Sequence, residues 1–451
     1  MDETEIDQLS EDLKKLDNQA EQSTRILIYK RNKRIFLLQS MLLGISYSII
    51  WPTLLKYIEH YNNFEYNEHV KHMFYGISYV AYPLGSMVSA KLVTTIELST
   101  KTMILLLNTF EIIGNLLFTV GIIPLLPAFG RFFAGLGDAF YVVLMREMNQ
   151  YGEMANERLT MECLASFVLG VIISPGLNVA TSYMTFRVGW WRVNSDNFPG
   201  LTAAVLFSVM QIVILLFLRV NEDDDVAATK TVKEERQNKT DSTSRFVEAR
   251  NFIRDIEYTA WFVNVFSFVY TFVVATFELL IPFLMYERLK ASTVGVMMMY
   301  AIIGTIYAML LMLTMGISFE YQPEIFVCIS VVMQIAGLFS VMYFTWLSQF
   351  TLAADIVGIG VIVLALTSMW SIDDVLFINF VQMFVPYHQR EKTHNMRKTM
   401  SKIAFGCAGL SVPALYGSLL LYFVPLLIVC VCVLFVMFIL IKMTVTKPSQ
   451  E

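Results

Sequence analysis

Residues 156–176 read NERLTMECLASFVLGVIISPG, and residues 396–417 read MRKTMSKIAFGCAGLSVPALYG. Each stretch opens on Arg-x-Thr-Met, at Arg158 and Arg397, and reaches a proline 17 and 16 residues later, at Pro175 and Pro413. At about 1.5 Å of rise per residue, entry and proline stand about 25 Å apart along a helix, most of the way across a hydrocarbon core of about 30 Å. The polar entry, the small residues and the late proline therefore describe one membrane-crossing helix written twice.

Two further echoes lie outward from this pair. Gly76 and Gly85 match Gly295 and Gly304 at the same spacing of nine, and Pro52 matches Pro282 near the outer end of an apolar run. Apolar windows fall near 35–58, 73–93, 103–123, 125–148, 159–183 and 198–218, then 258–285, 293–317, 325–347, 356–384, 400–420 and 422–443. The echoes sit in corresponding members of these two sixes, which predicts two parallel six-helix repeats.

Composition agrees. Of 451 residues 56% are hydrophobic and 16% charged, far from the usage of a water-soluble domain. Lipid requires every backbone group to be satisfied internally, and continuous apolar runs rather than ten-residue alternations exclude a barrel, so the expected class is an all-α polytopic membrane protein. The expected organisation is a cytoplasmic tail over 1–34, a first bundle over 35–218, a cytoplasmic central loop over 219–257, a second bundle over 258–443 and a cytoplasmic tail over 444–451.

Lys and Arg set the orientation. Twenty-six of the 33 fall on the side of the termini and central loop and seven on the other, which predicts that the termini are cytoplasmic. The sequon at Asn238 lies in the central loop and is expected to stay unglycosylated. The acidic opening MDETEIDQ lacks the form of a cleaved signal peptide. Cys163, Cys328, Cys407, Cys430 and Cys432 all fall within apolar stretches and read as small packing residues rather than a disulfide framework. A net charge of −5 with no basic stripe argues against a nucleic-acid partner. Neither metal-ligand spacing, a phosphate-cradling glycine loop nor a nucleophile motif occurs, so no cofactor, metal or enzymatic activity is expected.

RFFAGLGDA, Arg131 to Ala139, resembles the Arg-x-x-x-Gly-x-Gly pattern in the fourth helix of the major facilitator superfamily, and the Gly170 to Gly176 stretch resembles the glycine and proline motif of its fifth. ISYSIIWP, the 156–176 stretch and NFPG are similar to the subgroup containing the lysosomal facilitator linked to neuronal ceroid lipofuscinosis. The resemblance covers nearly the whole chain. It implies twelve transmembrane helices, alternating access to a small-molecule or ion substrate, a monomer in the lipid bilayer, and a late endosomal or lysosomal membrane, with the plasma membrane as the alternative. One departure stands out: the loop SAKLVTTIELSTKT keeps only Glu97 and Lys101 of the family's basic and acidic latch between helices two and three.

Charges inside spans are costly, roughly 2.5–3.5 kcal/mol on insertion scales, and normally face a cavity or a partner. Arg131 is a candidate anchor for an anionic substrate or for a carboxylate that changes protonation; the alternative is a structural interhelical pair. Asp138 lies seven residues on, about 10 Å of rise away. Asp138 and Asp374 occupy equivalent spans, and a desolvated carboxylate can carry a proton. Asp373 and Asp374 read equally as a water-filled kink. Glu111 is the weaker candidate because the third helix of this fold tends to lie outside the cavity, and Glu278, near the outer end of the seventh span, is a further candidate whose alternative is to snorkel to the interface. Gly170, Pro175, Gly176, Gly406, Gly409 and Pro413 read as hinge and packing positions.

The expectation is a secondary transporter, with a proton gradient as one candidate driving force. An anion channel on the same fold and a non-transporting scaffold are the alternatives.

Overall fold

The computed structural model describes residues 28–59, 67–96, 98–148, 153–189, 191–219, 258–317, 323–346, 352–385 and 390–415, with 425, 426, 428 and 429; some side chains, those of 371–384 among them, are not described. The helices are α1 (Ile28–Glu59), α2 (Glu68–Thr95), α3 (Thr100–Val120), α4 (Leu126–Gly137 continued by Phe140–Met148), α5 (Glu153–Thr181), α6 (Phe198–Phe217), α7 (Tyr258–Glu287), α8 (Thr293–Ile317), α9 (Pro323–Trp346), α10 (Leu352–Phe384) and α11 (Arg390–Leu415). The expected twelfth span, 422–443, lies almost wholly outside the described residues. Among the described residues, seven helices are long and apolar enough to cross a membrane.

Helix ends follow local chemistry. Ser99 caps α3 by accepting from the Thr102 amide, and Gly121 closes it with φ of 38°, which glycine adopts without a Cβ penalty. Pro199 in the first turn of α6 gives up an N–H that has no intrahelical partner there. Ahead of it, Asn194 Oδ1 accepts from the amides of Asp196 and Asn197. This folds NSDNFP into a tight entry.

Two expectations need correction. The fourth span is not continuous: it breaks at Asp138 and Ala139, after Gly135 and Gly137. The chain is also not purely helical, because the loop before α6 holds an antiparallel hairpin, β1 (Phe186–Val188) and β2 (Trp191–Val193), with Phe186 opposite Val193. Its aromatic and β-branched residues suit strands, and Gly189 enters the turn at φ of 61°.

α1 turns at residues 49–50, before Pro52, whose ring removes an amide donor. Side chains engage the carbonyls around this break. Asn178 of α5 donates to Ile49 O, and Arg131 of α4 donates to Ser46 O at 3.3 Å and Tyr47 O at 3.4 Å. Tyr286 of α7 donates to Pro52 O at 3.2 Å.

Packing places α4 between α2 and α3, and α6 against α3. After the central segment, α7 packs on α10 and α11, and α10 on α8 and α9. α2 against α11 and α5 against α8 join the two sets. Close approach is built from glycine: a Cβ on Gly135 would meet Tyr82 O, and one on Gly85 would meet Phe132 O. Gly170 likewise faces Met41 O, and Gly409 lies against Gly76 and Val80, with Pro413 packed at Gly76.

Gly176 departs from its expected packing role. A Cβ there meets nothing within 4 Å, and one on Gly406 would meet only Val80 at an ordinary 3.7 Å. Nor do the glycine echoes act alike, because Gly295 meets only its own neighbours, Ala291 and Ser292. Cys163 is buried as expected, whereas Cys407 is exposed on the outside of α11 and is no packing residue of the interior.

Candidate functional site

Sequence spacing alone builds aromatic faces on two helices. Tyr47 and Trp51 stand four apart on α1, and Tyr75, Tyr79 and Tyr82 stand at i, i+4 and i+7 on α2, so each set shares one face. In the structure these faces meet. Tyr47, Trp51, Leu54, Tyr79, Tyr82, Pro83 and Arg131, with Phe405 of α11, line one partly open space between α1, α2, α4 and α11. The Tyr47 ring lies 4.6 Å from Trp51 and 5.6 Å from Tyr82, and Trp51 continues the wall to Trp370 at 6.3 Å and, through it, to Tyr307. The space has about the room of one water.

Arg131 is the charged member of this wall. It is 2% exposed, and its guanidinium lies 4.4 Å above the Tyr82 ring while two of its donors hold the α1 carbonyls. A guanidinium has five N–H donors in a fixed fork, so three remain. Among the described residues no carboxylate pairs with Arg131. Arg131 does not reach along α4 to Asp138, because its fork is turned toward the α1 carbonyls.

Asp138 is engaged elsewhere. Sitting at the break in α4, it accepts from the hydroxyls of Tyr82, at 3.4 Å, and Ser86. Ser86 in turn accepts from Lys402 Nζ of α11. One hydroxyl therefore links α2, α4 and α11. Lys402 reads in the sequence as one of many cytoplasmic-side charges, and only the close packing of α2 on α11 brings it into contact with Ser86.

Glu111 is fully buried, although it is not among the residues that line the space around Arg131. Its Oε2 accepts from Ser46 at 2.8 Å and Asn115 at 3.1 Å, and Gly137 leaves room for its side chain. α3 turns this polar edge toward α1, where Gln39 and Asn108 also exchange amide hydrogen bonds. Oε1 has no partner.

Glu278 does not snorkel. It is 1% exposed, so α7 carries this position into the interior. The Tyr79 hydroxyl stands beside its carboxyl, and Arg131 lies within electrostatic reach. Yet neither carboxyl oxygen nor the Tyr79 hydroxyl closes a well-formed hydrogen bond. Asp373 and Asp374 lie in α10, with side chains outside the described residues. Glu97 also lies outside them, and Lys101 donates to Leu215 O of α6 and makes no link to the later helices among the described residues.

The sequence reading missed Tyr47, Trp51, Tyr79, Tyr82, Ser86, Phe405 and Lys402. The helical spacing of the tyrosines was the available signal for the aromatic wall; nothing in the sequence marked the hydroxyl link.

Residues 36–401 match the family model described as Major Facilitator Superfamily. No curated protein matches the chain by sequence. Solved structures do match in fold. One is a point mutant of the nucleoside transporter NupG, with 14% identity and a TM-score of 0.65 over 90% of this chain and 99% of that one. A second is a POT family transporter in complex with 5-aminolevulinic acid, with 12% identity and a TM-score of 0.64 over 92% and 97%. A third is the xylose transporter XylE from E. coli in an inward open conformation, with 11% identity and a TM-score of 0.62 over 90% and 95%.

Proposed function

Because the chain belongs to the major facilitator superfamily, we propose that it is a secondary transporter that moves a small solute across a membrane by alternating access, with the aromatic space around Arg131 as its site. The observation that carries this reading is the position of that space. Its lining comes from α1, α2 and α4 on one side and α11 on the other, so rocking of the two sets would open it to either face. A buried arginine with free donors inside an aromatic wall is suited to holding a polar solute in a dry site.

The two moving units of this reading are the bundles over 35–218 and 258–443, joined by the cytoplasmic loop 219–257. Glu111, Glu278 and Asp138 are the carboxyls available to couple a proton to the cycle, and Asp373 and Asp374 are held as further candidates. The excess of Lys and Arg on the side of the termini supports a cytoplasmic placement of both ends. The subgroup likeness of ISYSIIWP and NFPG supports a late endosomal or lysosomal membrane, which fractionation of tagged protein against organelle markers tests.

The deciding experiment is flux in proteoliposomes under an imposed proton gradient, comparing the native chain with Arg131→Ala and Asp138→Asn. The expected result is saturable, gradient-dependent solute flux that falls to background in Arg131→Ala while the variant stays folded. Ohmic anion current in place of saturable flux would assign the channel reading. Absence of flux across sugars, nucleosides, amino acids and anions would assign the scaffold.

A further inference from the structure

The lining of the space around Arg131 carries one charge, and it is positive. Tyr47 and Trp51 of α1, Tyr79 and Tyr82 of α2 and Phe405 of α11 surround it with ring faces. The guanidinium is 2% exposed and lies 4.4 Å above the Tyr82 ring. Two of its donors meet Ser46 O and Tyr47 O, which solvate the cation without neutralising it. The buried carboxyls of the neighbouring helices are engaged elsewhere: Glu111 accepts from Ser46 and Asn115, and Asp138 from Tyr82 and Ser86. Neither they nor Glu278 line the space, and among the described residues none closes an ion pair with Arg131.

We infer that the solute is an organic monoanion, with a carboxylate head held by Arg131, a flat apolar body laid against the rings, and no ammonium group. The inference rests on the transporter reading above and names the substrate class of that site. A carboxylate matches the planar fork of a guanidinium, which has three donors left to offer it. An uncharged solute leaves the buried cation uncompensated, and an ammonium meets a like charge with no carboxylate in the lining to receive it. The rings select the body. Tyr47 lies 4.6 Å from Trp51 and 5.6 Å from Tyr82, so the wall is a run of aromatic faces that stack on a planar group. It holds no amide or carboxylate side chain to bind the several hydroxyls of a sugar. As it stands the space has room for about one water, so the body enters when α11, which brings Phe405, moves away from α1 and α2.

The test uses purified full-length protein and probes that vary charge and body separately. Phenylacetate is compared with its neutral isostere phenylacetamide, with the zwitterion phenylalanine, with the cation phenethylamine, and with acetate and chloride, which are anions without the ring. Binding is read from tryptophan fluorescence and from the shift in melting temperature. Phenylacetate is expected to bind about tenfold or more tighter than each of the others, a gap of about 1.4 kcal/mol. Arg131→Gln should bring phenylacetate down to the level of phenylacetamide, and Phe405→Ala should weaken phenylacetate more than acetate. If the variants do not fold, the native protein still decides the matter through the probe series. Phenylacetamide, phenethylamine or phenylalanine binding as tightly as phenylacetate overturns the inference but leaves the site standing. Acetate or chloride binding as tightly overturns it in favour of a small inorganic or short-chain anion. No binding by any probe also overturns it, and solute flux in the proteoliposome experiment then shows separately whether the transporter reading survives.

Discussion

Lys402 of α11 and Asp138 of α4 are joined through a single hydroxyl: the lysine ammonium donates to Ser86 Oγ, and Ser86 donates onward to the Asp138 carboxylate. The chain thus makes a polar connection between the helices before and after its central segment. Because Ser86 serves both partners, losing it should uncouple them.

Ser86→Ala is expected to lower stability by on the order of 1 kcal/mol, as for loss of a partly buried hydrogen bond. Lys402→Met on top of Ser86→Ala should cost clearly less than Lys402→Met alone, because the shared partner has already gone. Melting of the purified protein across this double-mutant cycle checks it. Strictly additive effects would show that the three residues do not act as a unit.

Glycines at the α2 and α4 crossing and on the outer face of α5 should respond in opposite ways. A methyl at Gly135 runs into the Tyr82 backbone carbonyl, which cannot swing aside, so Gly135→Ala should destabilise by about 1–3 kcal/mol. Gly176 meets open space in the interior of a helix, and Gly176→Ala should be neutral or stabilising by up to about 1 kcal/mol. Melting temperatures of the two variants moving down together would contradict the helix crossing described here.

Glu111 offers a separation of charge from hydrogen bonding. Gln keeps an oxygen for Ser46 and Asn115, so Glu111→Gln should retain near-native stability. Glu111→Leu strands both donors and should cost about 1–3 kcal/mol. If Glu111→Gln is folded but its flux no longer responds to an imposed proton gradient, the carboxyl is a coupling group; if flux and coupling are unchanged, its role is to tie α1 to α3.

Much of the architecture was legible in the sequence because the bilayer imposes a one-dimensional rule. A span must be long, apolar and internally hydrogen-bonded, so windows such as 293–317 and 198–218 reproduce α8 and α6 to within a residue. The charged entry of α11, which the structure carries back to Arg390, was harder to place because polar helix outside the lipid leaves no hydropathy signal. The break of α4 at Asp138 and the hairpin before α6 depend on a few residues of local chemistry and were missed.

What the sequence by itself determined was which residues enter the membrane, that Arg131, Asp138, Glu111 and Glu278 would have to be accommodated there, and that the chain repeats a pattern. Only the tertiary structure decided how they are accommodated. Hydropathy counts residues along one axis, but a partner is set by which faces of two helices touch. That is why Arg131 meets α1 carbonyls rather than Asp138, Glu278 lies buried beside Tyr79 rather than at the interface, and Lys402 finds Ser86 more than 300 positions away in the chain.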